Sequence, residues 1–121
     1  MKKIMIVEDN ADNLDLLVQL LEDRYNLLSV EDGLQAVRTA KAEKPNLILM
    51  DMALPGLDGW EATRRIRSDP ETRRIPVIGI SSYAMEFDEL RARQAGCNEY
   101  LSKPLDEKVL FKLLDRYLEG G

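Results

Sequence analysis

Leu47-Ile48-Leu49-Met50-Asp51 sets four consecutive apolar side chains against one acid, with no opposite charge next to it in sequence. A strand with one wet face alternates apolar and polar residues, whereas a strand covered on both faces is apolar throughout. This run is of the second kind, and Asp51 marks where it leaves the core. The pattern recurs on both sides of it. Ile4-Met5-Ile6-Val7 runs into Glu8 and Asp9, and Leu27-Leu28-Ser29-Val30 into Glu31 and Asp32. Val77-Ile78-Gly79-Ile80 runs into Ser81, and Glu99-Tyr100-Leu101-Ser102 into Lys103-Pro104.

Between these runs, apolar residues recur at helical spacing. Leu14, Leu17, Val18 and Leu21 predict a helix closing near Asp23. Ala36, Val37 and Ala40 predict a short one after the turn dipeptide Asp32-Gly33, stopped before Pro45. Trp60, Thr63 and Ile66 predict a third, after the loop Leu54-Pro55-Gly56-Leu57-Asp58-Gly59, and Asp69-Pro70 breaks it. A fourth, weaker helix is expected over 85–95 with Gly96 as its C-terminal cap. The last carries Val109, Leu110, Leu113, Leu114 and Tyr117 on one side, before Gly120-Gly121. Five buried strands alternating with five helices predict an α/β fold, a doubly wound five-stranded parallel sheet in the order 2-1-3-4-5. No linker or repeat divides the chain, so residues 1–121 are expected to be one domain.

The 121 residues are 45% hydrophobic and 32% charged, with a net charge of -5. A negative field disfavours nucleic acid and anionic membrane surfaces as partners. No apolar run approaches the ~20 residues of a membrane span. Met1-Lys2-Lys3 followed by Ile4–Val7 is too short an apolar stretch for a signal peptide. The chain has no histidine, which removes hydrolases with a His base and zinc sites built on His. Any phosphohistidine donor must therefore belong to another protein. A single Cys97 cannot form an internal disulfide, which fits the cytoplasmic location expected here; after Gly96 it reads as a buried small hydrophobe.

Open sheets of this order bind ligands at the carboxyl ends of their strands. Those ends would bring together Glu8, Asp9, Asp51, Ser81 and Lys103, leaving Glu31 and Asp32 to the side. Converging carboxylates must protonate, pair with a cation or bind a metal. Oxygen donors without His or Cys select magnesium or calcium over zinc, and Mg²⁺ suits a site with few protein ligands that a phosphate oxygen completes. A carboxylate is also a nucleophile towards phosphoryl groups. With a metal on one side and the Lys103 ammonium on the other, Asp51 would have the charge neutralisation such a transfer needs. Ser81 supplies a hydroxyl for a phosphoryl oxygen.

These pieces in this order resemble a CheY-like response-regulator receiver domain over essentially the whole chain. The matching stretches are Val7-Glu8-Asp9-Asn10, Met50-Asp51, Leu54-Pro55-Gly56-Leu57-Asp58-Gly59, Ile80-Ser81 and Tyr100-Leu101-Ser102-Lys103-Pro104-Leu105. The resemblance implies a flavodoxin-like (βα)5 fold and a switch in two-component signalling, not an enzyme beyond assisting its own phosphorylation and slow dephosphorylation. It implies Asp51 as phosphoacceptor, with Asp9, Asp51 and the Ala53 backbone carbonyl binding Mg²⁺ and Glu8 reaching it through a water. Ser81 and Lys103 would contact the phosphoryl group, and Ser81 and Tyr100 would be the switch pair. A histidine kinase or histidine phosphotransfer protein would be the donor. A downstream protein would dock on the face of the fourth helix, fifth strand and fifth helix. Ser81 stands where Thr is more usual, Ser82 where Ala or Gly is, and Glu8 where Asp is. Ala53 and Tyr83 flank the path of attacking water. The chain is read either as a stand-alone single-domain regulator or as the receiver of a larger kinase.

Plainer readings compete. Glu8 and Asp9 also suit an N-terminal cap of the first helix. Lys103 reads equally as a loop lysine, Tyr100 as a strand aromatic packed on a helix, and Tyr83, Met85 and Phe87 as cover for the fourth helix. Asp58 is expected to cap the third helix. Arg64, Arg65, Arg67, Arg73 and Arg74 are expected to be a solvated helix end and not a nucleic-acid patch, since no DNA-reading helix accompanies them. A phosphohydrolase would carry its Asp-x-Asp after the first strand, where Glu8-Asp9-Asn10 stands. A flavin or nucleotide carrier would need glycines and hydroxyls there to cradle phosphate. A receiver degenerate in its chemistry would lack part of the set Glu8, Asp9, Asp51, Ser81 and Lys103, which is intact.

Overall fold

The structure, a computed structural model, describes residues 1–54, 56–81 and 86–118, with the main chain alone over 86–89. Ser82, Tyr83, Met85 and the side chain of Phe87 thus lie outside the described residues, as do Gly120 and Gly121. Strands and helices alternate: β1 (Lys3–Val7), α1 (Ala11–Leu21), β2 (Asn26–Val30), α2 (Gly33–Glu43), β3 (Leu47–Asp51), α3 (Gly59–Ser68), β4 (Val77–Ser81), α4 (Glu86–Ala95), β5 (Glu99–Ser102) and α5 (Glu107–Leu118). The five strands are parallel and lie in the order β2-β1-β3-β4-β5, as the buried apolar runs predict.

Two apolar layers sandwich the sheet. Met5, Val7, Ile48, Met50 and Val77 face Ala36 and Ala40 of α2, Trp60 and Ile66 of α3, and Ala92 and Ala95 of α4. Ile4, Ile6, Leu47, Leu49, Ile78 and Ile80 face Leu17 and Leu21 of α1 and Leu110, Leu113, Leu114 and Leu118 of α5. Neighbouring residues of one strand thus belong to opposite layers, as the period of two requires. The central β3 is buried along its whole length, while the edge strand β2 is half-exposed.

Each of the first three helices starts on an oxygen cap, within three residues of the preceding strand for α1 and α2 and after a seven-residue loop for α3. Asn10, Asp32 and Asp58 accept from the backbone N–H of Asn13, Gln35 and Glu61 at 3.0, 2.8 and 3.0 Å. Such caps satisfy donors that the first helical turn leaves open. Asp58 caps α3 as expected. Asp32-Gly33 departs from its reading as a turn, because it caps and opens α2, which runs for 11 residues and is not short. Lys44 then closes α2 in the left-handed conformation at φ 47°.

Candidate functional site

Sheet register sets the site. Val7 lies opposite Met50, Asp51 opposite Ile80, and Ser81 opposite Ser102. Glu8 follows Val7 directly, so it emerges beside Asp51, and Lys103 follows Ser102 beside Ser81. Glu8, Asp51 and Ser81 are buried, whereas Asp9 stands exposed at the rim. One carboxylate oxygen each from Glu8, Asp9 and Asp51 lie within 4.8 Å of one another. Lys103 Nζ reaches Glu8 Oε1 at 3.2 Å and Asp51 Oδ2 at 3.5 Å.

The backbone fixes this arrangement. The N–H of Lys103 donates to Ser81 O at 2.7 Å, and that of Met52 to Ile80 O at 2.9 Å. Ala53, exposed, donates its N–H to Asp51 Oδ1 at 2.9 Å. Asp51 therefore turns Oδ1 to a backbone N–H and Oδ2 to an ammonium. Gly59 closes the floor: a Cβ there would lie 2.6 Å from Asp51 O and 2.7 Å from Met52 Cα. Only a residue without a side chain lets α3 start against the end of β3.

The charges do not balance. Three carboxylates face one ammonium. Burial, reinforced by the neighbouring Asp51, pushes the Glu8 carboxyl up to about 7 from its ordinary 4.5, against the opposing pull of Lys103. A buried acid that resists ionising marks a place where positive charge is wanting. The donors are all oxygen, with no His or Cys among them, which is the chemistry of a hard divalent cation.

The sequence placed Glu8, Asp9, Asp51, Ser81 and Lys103 together, and the structure brings them together. Glu31 is exposed and Asp32 caps α2, both away from the cluster. The capping role for Glu8 and Asp9 is corrected: Asn10 is the cap of α1, and Glu8 instead turns into the buried site. Tyr100, in β5, is half-buried and stacks on Trp60. Cys97 is buried as expected.

The arginine cluster is corrected in part. Arg64 and Arg65 pair with Glu61, and Arg73 and Arg74 are exposed. Arg67, however, turns inward. It donates to Gly96 O at 2.8 Å, to Arg73 O at 3.1 Å, to Ile75 O at 2.6 Å and to Asn98 Oδ1. It fastens the end of α3 to the loops before β4 and β5.

Comparison with known proteins settles the family. Residues 4–115 match the model of the response regulator receiver domain. The chain belongs to the response regulator receiver domain family. The polar-differentiation response regulator DivK of Brucella anthropi is 42% identical over 118 residues, spanning 97% of this chain and 96% of that protein. Among solved structures, the receiver domain of a Pseudomonas aeruginosa sensor histidine kinase, with a magnesium ion coordinated in its active site cleft, is 40% identical. It superposes at a TM-score of 0.89 over 96% of each chain. The receiver domain of Saccharomyces cerevisiae Ssk1, crystallised with the histidine phosphotransfer protein Ypd1, is 28% identical at a TM-score of 0.89, covering 96% of this chain and 88% of that one. Receiver domains are phosphorylation-signalling domains of two-component systems and not enzymes of the ordinary kind. The doubly wound, CheY-like fold read from the sequence is the fold observed.

Proposed function

We propose that this chain, residues 1–121 as one receiver domain, takes a phosphoryl group from a partner phosphohistidine onto Asp51 and thereby changes a partner-binding surface. The observation that carries this reading is the placement of Asp51, with Lys103 Nζ 3.5 Å from Oδ2 and Glu8 and Asp9 clustered at the same strand ends. Its Oδ attacks phosphorus, the P–N bond to the donor imidazole breaks, and the imidazole leaves with its electron pair and takes up a proton.

The oxygen donor set fits Mg²⁺, with Asp9, Asp51 and the Ala53 backbone carbonyl as ligands and Glu8 acting through a water. Bound there, Mg²⁺ would supply the positive charge that screens the acids and the phosphoryl oxygens. Lys103 neutralises the opposite side of the phosphoryl group as a mobile point charge. The Ser81 hydroxyl donates to a phosphoryl oxygen once one is present, which draws the end of β4 towards Asp51. Tyr100 reorients with Ser81 and alters the face of α4, β5 and α5, where a downstream protein docks. The donor is a histidine kinase or a histidine phosphotransfer protein, and the chain works in the cytoplasm. Among the described residues no helix is long and apolar enough to cross a membrane.

The test is incubation with acetyl phosphate and Mg²⁺, followed by intact mass. One added phosphoryl group, absent in Asp51→Asn and released by base, is the expected result. An Asp51→Asn protein that still gains it would sink the assignment.

A further inference from the structure

Trp60, Tyr100 and Arg91 form a stack outside the carboxylate site. Trp60 is the second residue of α3 and only 8% exposed. Its ring centroid lies 6.4 Å from that of Tyr100, with the planes inclined at 26°. The Arg91 guanidinium of α4 sits over the Trp60 ring, 4.6 Å from the centroid. One indole thus touches both the aromatic of β5 and a cation of α4. A buried aromatic pair and a cation over a ring each shift an equilibrium by up to roughly tenfold.

The stack is tied to the site through Trp60 and Tyr100. Trp60 follows Gly59, whose contact with the main chain of Asp51 and Met52 holds the start of α3 in place. Tyr100 lies opposite Gly79 of β4, two residues before Ser81. A Cβ at Gly79 would come within 3.1 Å of Met52 Sδ, 3.2 Å of Cys97 Sγ and 3.4 Å of Tyr100 Cδ2, so the ring shares the bare backbone of Gly79 with two sulfurs.

We propose that Trp60 is a positioning residue for the Tyr100 switch, holding the Tyr100 ring and Arg91 of α4 in their present arrangement so that ring and helix leave it together. The inference rests on the reading of Tyr100 as a residue that responds to a phosphoryl group on Asp51. Trp60 then opposes switching in the unloaded protein and carries the change from β5 to α4.

The full chain is loaded with beryllofluoride and Mg²⁺ as a mimic of the aspartyl phosphate, and the Tyr100 ring and Trp60 indole signals are followed by NMR. In the wild type both move together on loading. In Trp60→Leu the loaded position of Tyr100 is populated about tenfold more in the unloaded protein. Trp60→Phe, which keeps a ring between Tyr100 and Arg91, restores wild-type behaviour. Arg91→Ala, a surface change, gives a smaller shift in the same direction. A cooperatively folded Trp60→Leu protein whose Tyr100 signal matches the wild type, unloaded and loaded, overturns the proposal. Should that variant not fold, an Arg91→Ala protein with an unmoved Tyr100 signal overturns it instead. A wild-type Tyr100 signal that ignores loading, with Mg²⁺ and beryllofluoride bound, is a different failure: it removes the switch reading on which the proposal rests.

Discussion

Lys103 Nζ stands 3.5 Å from Asp51 Oδ2 while also holding Glu8 Oε1 at 3.2 Å, so a single ammonium following β5 spans the acids that follow β1 and end β3. Lys103 is already drawn towards the position where a phosphoryl group on Asp51 would carry its charge. The same ammonium repels a cation held by Glu8, Asp9 and Asp51.

Lys103→Gln is therefore expected to act in two opposite directions. Removing the ammonium lowers the rate of phosphoryl acceptance from acetyl phosphate by about a hundredfold, as loss of a transition-state charge partner does elsewhere. Mg²⁺ binding by the unloaded protein tightens, because three carboxylates lose their only nearby cation among the described residues. Calorimetry and quenched mass measurements separate the two. A variant weaker in both would mean that Lys103 serves the fold more than the transfer.

Glu8 makes metal-free stability depend on pH. Its carboxyl titrates at about 7 in the folded chain against an ordinary 4.5, chiefly through burial. The folded state therefore keeps a proton that the unfolded chain has released. Below the ordinary value the contribution is fully present, and it is lost as pH rises through 7. Urea midpoints in metal-free buffer should fall between pH 5 and 8, and in Glu8→Gln this part of the fall should vanish. Added Mg²⁺ should recover stability most at the high end, where the carboxylate is free to meet a cation.

Arg67→Ala should destabilise more than any other arginine truncation in the run Arg64, Arg65, Arg67, Arg73 and Arg74. It strips donors from three backbone carbonyls and from Asn98, and burial has already lowered its own basicity. Leaving such acceptors unpaired costs about 3 kcal/mol. Arg67→Lys should recover only part of this, because one ammonium cannot fan out to four acceptors as a guanidinium does. Urea unfolding of the two variants beside Arg74→Ala, whose side chain is exposed, checks the ranking.

Arg67 and Arg65 separate by contacts that are distant in sequence. Both sit in one basic run, and helical spacing sets Arg67 seven residues after Trp60 and four after Thr63, on the buried side, but it does not show what an arginine would meet there. What separates them is a set of carbonyls up to 29 residues away, brought close by the loop before β5. Strand burial, by contrast, is written in consecutive residues, so the sheet order and the gathering of Glu8, Asp51, Ser81 and Lys103 could be read directly. Glu8 and Asp9 resembled helix caps because acids suit either place. The choice fell to Asn10, one residue on, whose side chain reaches the Asn13 N–H. Trp60 reads in sequence as one more core residue of α3, and its neighbours Tyr100 and Arg91 come from elements 40 and 31 positions later in the chain, about as far as the Arg67 partners Gly96 and Asn98.

Gly59→Ala sets local preference against packing. In a helix's first turn alanine is favoured over glycine, by up to about 1 kcal/mol in an open helix interior. Propensity alone predicts a more stable protein. A Cβ at position 59, however, would stand 2.6 Å from Asp51 O and 2.7 Å from Met52 Cα, both main-chain atoms of β3's end and its exit. Neither can swing aside as a side-chain tip would, so α3 must retreat or β3 must bend, at a cost of about 1–3 kcal/mol. The expected result is a lower urea midpoint together with weaker Mg²⁺ binding, because the displaced backbone carries the Asp51 carboxylate with it. A control at Ala62, buried in the same helix one turn further on, separates the two readouts: Ala62→Gly should lower stability and leave Mg²⁺ affinity alone. If Gly59→Ala gained stability or kept its Mg²⁺ affinity, the start of α3 would be free to give way, and Asp51 would owe its position to β1 and β4 alone.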